Sequence, residues 1–329
     1  MKHIPIVVIS DERQAFAVAT AFINLLEVKK TGTFYDLYAI VSPDFGAENK
    51  AKIKSIQNDY EACAIHLIEA DNRFDNIKNK TTYISNACAY KFCLAEFLPK
   101  LNKVLYLDTD IVVFDDLTAL YDIDIKDNYI GGVFSFAHLL QAGLRERLNV
   151  SDMLSYVNAG VMLVNLKQIR KDNIINQCVK LIGSYDDSVD QHIYNKVCFG
   201  HIALIAPKYN VTHSNEPFYK QEIALTAFTQ KEVIETQNPV IYHYTGPNKP
   251  WNAAGLKYGL IWLRYCKKSP YWDLVLNKNK KLNLFSPFAD TKIEYSFLER
   301  LFSVKTKYKN GFPLKVLTVL GCRFTKNSK

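Results

Sequence analysis

Closely spaced acidic residues are the first candidates for chemistry in this chain. The tripeptide D-x-D occurs at residues 108–110 and 122–124, but only the first follows an apolar run directly, in KVLYLDTDIVV. This context predicts that Asp108 and Asp110 stand at the carboxyl end of a buried strand, although a simple capping turn is the alternative. Carboxylates so close repel each other unless a cation lies between them, and carboxylate oxygen binds hard divalent cations. The first pair is therefore a candidate metal site, and the second is predicted to lie in a loop.

The pattern around these carboxylates indicates which elements hold them. Strands are predicted over residues 3–10, 35–41, 64–68, 103–107, 129–133, 160–165, 201–205 and 240–244. Helices are predicted over residues 15–26, 48–60, 86–97 and 188–197, and another from residue 166. Strands that alternate with helices predict an α/β fold with a parallel sheet covered by helices on both faces. Ligands bind such sheets beyond the carboxyl ends of the strands, where Asp108 and Asp110 are expected.

Composition indicates a folded protein with a large core. The chain has 329 residues, of which 48% are apolar and 22% charged, which excludes a disordered tether. Its seven cysteines are scattered and never spaced as C-x-x-C, as expected for reduced thiols. The opening MKHIPIVVI has no small-residue cleavage site, and no apolar run reaches the roughly 18 residues of a spanning helix. We therefore expect a cytoplasmic location.

The net charge of +8 comes from the C-terminal end. Residues 267–329 hold 14 Lys and Arg against 4 Asp and Glu, whereas residues 1–266 hold 27 against 29. Because Phe and Tyr are interleaved with these charges, we expect this end to bind an anionic membrane, with the protein peripheral on the inner face of the cytoplasmic membrane. Nucleic acid is not expected as a partner, although the same charges could neutralise phosphates. A solvated, partly disordered end is the simplest alternative.

Five segments, taken in order, resemble the retaining glycosyltransferases of family 8, which include bacterial lipopolysaccharide galactosyl- and glucosyltransferases and the glycogenins. LPKLNKVLYLDTDIVV resembles the signature of this family. IPIVVISDERQA is similar to its nucleotide-binding opening, and YVNAGVMLVNL to its second signature. SVDQHIYN resembles its catalytic segment, and YHYTGPNKPW its closing metal and phosphate motif. Five ordered matches are much more specific than one D-x-D.

The resemblance also implies a fold and a division of the chain. It implies a GT-A type nucleotide-diphospho-sugar transferase fold, with a single Rossmann-like mixed sheet flanked by helices. We expect residues 1–251 to form the catalytic domain that binds the nucleotide sugar. Residues 252–329 are expected to form a basic, aromatic-rich helical extension associated with the membrane surface.

The family's metal site corresponds here to Asp108, Asp110 and His243, which the resemblance implies hold Mn²⁺ against the diphosphate of a UDP-sugar. Carboxylate and imidazole together suit Mn²⁺ better than the alternative, Mg²⁺. Taken alone, a His at the end of a strand is more often structural. Its neighbours favour a site, because Gly246 lets backbone approach a phosphate closely and Lys249 supplies a compact positive charge.

The family's sugar-binding side chains correspond to Asn158, Asp190 and Gln191. The resemblance implies transfer with retention, with Gln191 on the β face of the sugar steadying an oxocarbenium-like centre while the acceptor attacks from the leaving-group side. Asp190 would bind sugar hydroxyls and is the fallback nucleophile. Without the family, Asp190-Gln191 reads equally well as an exposed helix N-terminus. The full set expected to bind the donor is Ile9, Ser10, Asp11, Lys91, Asp108, Thr109, Asp110, Asn158, Ala159, Gly246 and Lys249.

Three departures from the family pattern concern donor choice. Where the opening commonly reads D-x-N-Y, this chain has D-E-R-Q, so Gln14 replaces an aromatic that would stack on uracil. Lys91 stands where the family usually has Arg, which exchanges a planar fork for a point charge. Ser135 stands where many relatives have an Asp near the sugar. Base recognition is therefore less firmly expected than metal binding.

We expect an enzyme that moves galactose or glucose from its UDP derivative to a saccharide or glycolipid acceptor in the synthesis of lipopolysaccharide or another surface glycan. Acceptor contacts are expected in loops 135–149 and 210–219. One alternative is a sugar-1-phosphate nucleotidyltransferase, but SDERQAFAV lacks the Gly-rich loop which that activity needs after the first strand. The other is a non-catalytic glycan- or membrane-binding module, which the joint presence of Asp108, His243 and Gln191 disfavours.

Overall fold

The computed structural model describes residues 1–74, 86–185, 189–281, 302–309, 312–319 and 322–327. The chain divides into two compact units, Met1–Phe285 and Ser286–Lys329. The first contains a central sheet of seven strands. These are β1 (Lys2–Ser10), β2 (Thr33–Val41), β3 (Cys63–Glu69), β4 (Val104–Leu107), β6 (Ile130–Phe134), β7 (Val157–Val164) and β8 (Ile202–Leu204).

The central sheet is mixed, in the order β3-β2-β1-β4-β7-β6-β8. Strand β1 is parallel to β2 and β4, whereas β7 is antiparallel to both β4 and β6. The mixed GT-A type sheet implied by the family is confirmed. The alternation of strands and helices predicted a fully parallel sheet. That prediction is wrong for β7, which is antiparallel to its two neighbours. A strand buried on both faces gives the same apolar run in either direction, so its pattern does not reveal its orientation.

Helices flank this sheet, and their bounds lie close to the predicted ones. They are α1 (Ala15–Val28), α2 (Ala47–Ser55), α3 (Leu94–Phe97), α4 (Thr118–Tyr121), α5 (Phe136–Leu139), α6 (Leu144–Leu148), α7 (Leu166–Lys171), α8 (Ile174–Val179), α9 (Val189–Val197), α10 (Gln230–Glu235), α11 (Gly259–Cys266) and α12 (Trp272–Lys281). The 3₁₀ helices are Glu12–Gln14, Ile56–Asp59, Asn86–Cys93, Pro207–Tyr209, Phe218–Lys220 and Glu222–Thr226. The predicted helix over 86–97 is therefore mostly 3₁₀. The predicted start at Ser188 lies outside the described residues.

A second, smaller sheet was not predicted. It consists of β5 (Ile111–Val113), β10 (Ile241–His243) and β9 (Val211–Thr212), with β10 in the middle. Strand β5 begins directly after the D-T-D tripeptide, and its Ile111 pairs with His243. This register brings His243 beside the two D-T-D carboxylates, which precede it by more than a hundred positions in the chain.

Residues beyond 251 are part of the first unit. Helix α1 is apolar and almost wholly buried, and Phe16 contacts the rings of Trp251 and Trp262 edge-on at centroid distances of 5.3 and 6.4 Å. Trp262 and Cys266 of α11, and Val275 of α12, are buried in the same core. The compact unit therefore extends past the expected boundary at residue 251, because these aromatic and aliphatic side chains cover α1.

The second unit contains strands rather than helices. Strands β11 (Phe302–Lys309), β12 (Phe312–Val319) and β13 (Cys322–Asn327) form an antiparallel meander. The prediction of a helical C-terminal extension thus agrees with α11 and α12 but is wrong for the residues of β11, β12 and β13. Apolar residues alternate with Lys in FSVKTKYK, a period of two that favours a strand. Residues 282–301, which include several of the aromatics noted above, lie outside the described residues. No helix in the described part of the chain is long and apolar enough to cross a membrane.

Candidate active site

A cavity of about 480 Å³ lies at the carboxyl ends of β1 and β4, a size typical of pockets for small ligands. Every residue that the sequence predicts for donor, metal or catalysis lines it. These are Ile9, Ser10, Asp11, Lys91, Asp108, Thr109, Asp110, Asn158, Ala159, Asp190, Gln191, His243, Gly246 and Lys249. The structure thus brings together residues from six separate segments, as expected for a site at the strand ends.

The D-T-D carboxylates and His243 form a compact polar group in the cavity. One ligand atom each from Asp108, Asp110 and His243 lies within 4.8 Å of the others. Nε2 of His243 is 3.2 Å from Oδ1 of Asp110 and 3.7 Å from Oδ2 of Asp108. The backbone N–H of Asp108 donates to the carbonyl of Gly160 at 2.7 Å, which holds the turn after β4 against β7.

These residues fit a divalent cation. Two carboxylates and an imidazole converge on one point, and that donor set suits Mn²⁺ or a similar ion. The Lys249 ammonium contacts Oδ2 of Asp110 and the carbonyl of Tyr244. The carboxylate of Asp110 is therefore already paired with one positive charge. Burial alone would raise the pKa of Asp110, but chiefly the ammonium of Lys249 outweighs it and holds that pKa well below its usual range. Asp110 is therefore ionised and available as a ligand.

Gly160 makes room for this group. A Cβ added there would lie 2.5 Å from Oδ2 of Asp108 and closer still to Cε1 of His243, well inside van der Waals contact. Gly160 is on the central strand β7, so its backbone is held on both sides. The N-A-G motif therefore needs glycine at this position because the side chains of Asp108 and His243 pack directly on its Cα.

Lys91 lies between the D-T-D carboxylates and Asp190. Its ammonium bonds to Asp190, to the carbonyl of Ala159 at 3.0 Å and to Asp108 at 3.4 Å, and lies 4.4 Å from the centre of the Tyr106 ring. Burial alone would lower the pKa of Lys91, but the carboxylates of Asp108 and Asp190 outweigh it and raise that pKa above its ordinary value. A permanently charged Lys91 holds the side chain of Asp190 in place through their ion pair.

Gln191 is held by hydrogen bonds at both ends of its amide. Its Oε1 accepts from Asn158 Nδ2 at 2.8 Å and from the backbone N–H of Ala159 at 3.2 Å. Its Nε2 donates to the hydroxyl of Tyr156 at 3.1 Å and lies 3.2 Å from Nε2 of His138. Gln191 is only 7% exposed, so only a small part of its surface faces the cavity. Such a side chain is positioned rather than mobile.

Two buried oxygens at the β1 end of the cavity have no hydrogen-bond partner among the described residues, Oδ1 of Asp11 and Oε1 of Gln14. The other oxygen of Asp11 accepts from Arg13 Nη2 at 2.7 Å. A buried acceptor without a donor is costly. Both residues line the cavity, so a ligand that carries N–H groups would satisfy these oxygens.

Sequence reasoning missed several residues around the cavity. Ser135, noted as a departure, does not line it; its hydroxyl contacts Nδ1 of His138 at 2.8 Å, and His138 reaches the cavity instead. Tyr106 was read only as part of an apolar strand, yet its hydroxyl donates to Asp108 at 2.5 Å. The polar Tyr inside VLYL was the available signal. Asn210, in the loop before β9, had none.

Comparison with known proteins agrees with this geometry. The model of glycosyl transferase family 8 matches residues 5–255. A putative glycosyltransferase of Haemophilus influenzae is 26% identical over 248 residues, which are 74% of this chain and 71% of that protein. A lipopolysaccharide 1,2-glucosyltransferase of Escherichia coli is 31% identical over 166 residues, 47% of this chain and 46% of that protein. The solved structure of galactosyltransferase LgtC with donor and acceptor sugar analogs has a TM-score of 0.69 at 23% identity, covering 81% of this chain and 96% of that one. At that identity the likeness concerns the fold.

Proposed function

Because the chain belongs to glycosyl transferase family 8, we propose that it transfers galactose or glucose from a UDP-sugar to a saccharide acceptor, with retention and with Mn²⁺. The observation that carries this proposal is the single cavity in which Asp108, Asp110 and His243 stand beside Asp190 and Gln191. A metal-binding group beside polar side chains that suit a sugar is what donor cleavage requires. Mg²⁺ is the alternative ion.

The diphosphate would bind between the D-T-D carboxylates and the loop that carries Gly246 and Lys249. When bound, the divalent cation would stabilise the charge that develops on the leaving diphosphate. Lys249 contacts Asp110, and a diphosphate oxygen would offer its ammonium a second negative partner. Gly246 has a φ of +81°, a conformation that favours glycine, and the absence of a side chain would let a phosphate approach its backbone closely.

The sugar would lie over Asn158 and Gln191, with Asp190 on its hydroxyls. Because Lys91 pairs with Asp190, that carboxylate is a weaker nucleophile than a free one. Gln191 is neutral, so it would steady a developing oxocarbenium centre by its dipole rather than by a covalent bond. These features favour attack by the acceptor from the leaving-group side over a double displacement.

The acceptor is proposed to be a saccharide or glycolipid in surface glycan synthesis. One relative is named a lipopolysaccharide glucosyltransferase, and Leu140, which follows α5 two residues after the cavity-lining His138, is 61% exposed. Leu154, in the loop that follows, is 62% exposed. Exposed leucines in the segment after His138 would suit a lipid-linked sugar.

A panel of nucleotide sugars tests the function. The purified protein is incubated with Mn²⁺ and each sugar in turn, and released sugar and nucleotide are measured by mass spectrometry. We expect turnover of UDP-galactose or UDP-glucose. Diphosphate release from UTP and a sugar 1-phosphate would instead indicate a nucleotidyltransferase, and binding without turnover a non-catalytic module. An inverted product with an acceptor would contradict retention.

A covalent sugar adduct separates the two routes to retention. We expect none on Asp190 when the donor is supplied without acceptor, because Lys91 holds that carboxylate in an ion pair. The measurement is peptide mass spectrometry after rapid quenching, with Asp190→Asn as the control for adducts elsewhere. A glycosylated Asp190 would establish it as the nucleophile and remove the role proposed for Gln191.

The basic C-terminal end is proposed to bind the cytoplasmic face of an anionic membrane. Each Lys or Arg near such a surface contributes about 1 kcal/mol, less as salt screens it. Since α11 and α12 pack in the core of the first unit, the truncation that tests this proposal ends at Phe285 and keeps both helices.

We expect the protein truncated after Phe285 to lose binding to vesicles of anionic lipid and to keep its donor hydrolysis. The measurement is co-sedimentation of both forms across a salt series, with neutral vesicles as the control. Equal binding by the two forms would move the membrane contact to the first unit. Loss of hydrolysis would make the second unit part of the catalytic fold.

A further inference from the structure

A buried chain of amide hydrogen bonds connects the proposed metal site with the proposed sugar site. Asn210 is fully buried, and its Oδ1 lies 3.1 Å from Nδ1 of His243. Its Nδ2 donates to Oδ1 of Asn158 at 2.8 Å, and Nδ2 of Asn158 donates to Oε1 of Gln191 at 2.8 Å. Four side chains from separate segments thus form one continuous chain of hydrogen bonds.

Two backbone groups determine the direction of every bond in this chain. The N–H of Gly160 donates to Asn158 at 3.0 Å, and the N–H of Ala159 donates to Gln191 at 3.2 Å. A backbone N–H can only donate, so the atoms that face it must be carbonyl oxygens. Asn158 therefore presents its oxygen to Asn210, and Asn210 donates a hydrogen bond to it from its NH₂ group. The orientation of both amides follows without an arbitrary choice between oxygen and nitrogen.

This orientation has a consequence for His243. Because Asn210 turns its oxygen toward Nδ1, that ring nitrogen must carry the proton and donate it. Nε2 then faces Asp110 at 3.2 Å and Asp108 at 3.7 Å with its lone pair when the ring is neutral. Two carboxylates would by themselves favour a proton on Nε2, which would block a cation there. Asn210 opposes that preference from the other side of the ring.

We propose that Asn210 is a positioning residue that sets the tautomer of His243 for cation binding and, through Asn158, fixes the amide of Gln191. The assignment of Nε2 as a metal ligand rests on the proposed function, whereas the tautomer does not. A group behind a ligating His commonly changes metal affinity by about 10- to 100-fold. Asn210 differs from such a group in also ordering the residue next to the sugar.

The tautomer is measured directly in the full-length, metal-free protein. Ring ¹⁵N shifts of labelled histidine distinguish a protonated from an unprotonated nitrogen, at a pH where the rings are neutral, and His243→Gln identifies the signals of His243. We expect the wild-type ring to be protonated on Nδ1. In Asn210→Leu, which is similar in size but has no polar group, we expect the proton on Nε2 and an Mn²⁺ affinity lower by about tenfold or more.

Asn210→Asp separates the two halves of the chain. One carboxylate oxygen still accepts from Nδ1 of His243, so the wild-type tautomer and the Mn²⁺ binding should remain. The other oxygen faces Oδ1 of Asn158 and repels it, so the amide of Gln191 loses its support. We expect donor turnover at saturating Mn²⁺ to fall by at least about tenfold.

Two results would overturn the proposal. One is a proton that stays on Nδ1 of His243 in Asn210→Leu with unchanged Mn²⁺ affinity. The other is loss of the Nδ1 proton in Asn210→Asp, where an oxygen is still present. Free Mn²⁺ is read by its electron paramagnetic resonance, which needs no donor. A wild-type protein that turns over no nucleotide sugar would therefore contradict the proposed function while the tautomer and Mn²⁺ measurements still decide the role of Asn210.

Discussion

Asp110→Asn is expected to lower donor turnover by about 10³-fold or more, because the leaving diphosphate would lose its main electrostatic support. The substitution keeps the size of the side chain but removes a charged ligand from the group with His243. It also leaves the ammonium of Lys249 without the carboxylate that it contacts. Mn²⁺ affinity should fall in parallel with turnover. Asp108→Asn should act in the same way.

The second D-x-D supplies the matched control. Asp122 is half exposed and pairs with Lys2 at the surface, where an ion pair contributes about 0–1 kcal/mol. Asp122→Asn should therefore leave turnover and Mn²⁺ affinity unchanged. Thermal unfolding of all three variants checks that the fold is intact. Full activity of the wild type in chelator, with divalent metal shown to be absent, would remove the metal from the mechanism.

The directions of the strands could be predicted only in part, because burial hides them. The residues that form β1 and β4 read as apolar runs because most of them are buried. The same burial hides the direction of β7, and only the family resemblance implied a mixed sheet. A helical extension was predicted where the C-terminal strands lie, although Lys305, Lys307 and Lys309 stand at every second position of β11, a spacing that favours a strand.

The site was more predictable than the sheet. Asp108, Asp110, Asp190, Gln191 and His243 line one cavity, as the ordered motifs led us to expect, and their roles remain predictions. Motifs record which residue types recur at a site. They do not record which side chains hold those residues in place.

The supporting residues depend on contacts that no local pattern encodes. Asn210 precedes β9 by a single residue and meets His243 only because β9 pairs with β10. His138 reaches the cavity because the hydroxyl of Ser135 contacts its ring. Such contacts follow from packing between distant segments, so they require coordinates.

Gly160→Ala is expected to lower donor turnover by about 10²-fold or more, since a misplacement of about 1 Å costs that much in a positioned site. The new methyl group would occupy the place of the His243 ring and of Oδ2 of Asp108. Strand β7 cannot retreat, because it pairs with β4 on one side and β6 on the other. The ring and the carboxylate must move instead. Mn²⁺ affinity should therefore fall with turnover.

Two other glycines test whether the effect of Gly160→Ala is specific to the metal-binding group. Gly259→Ala places its methyl 3.5 Å from Leu256, an ordinary contact, and should change neither stability nor turnover. Gly131→Ala on β6 would crowd Ile125 at 2.8 Å, so it should lower the free energy of unfolding and leave Mn²⁺ affinity intact. If Gly160→Ala only destabilised the protein, as Gly131→Ala should, the contact of β7 with His243 would be structural. If it bound Mn²⁺ and turned over donor like the wild type, Asp108 and His243 would not act from the positions that they occupy here.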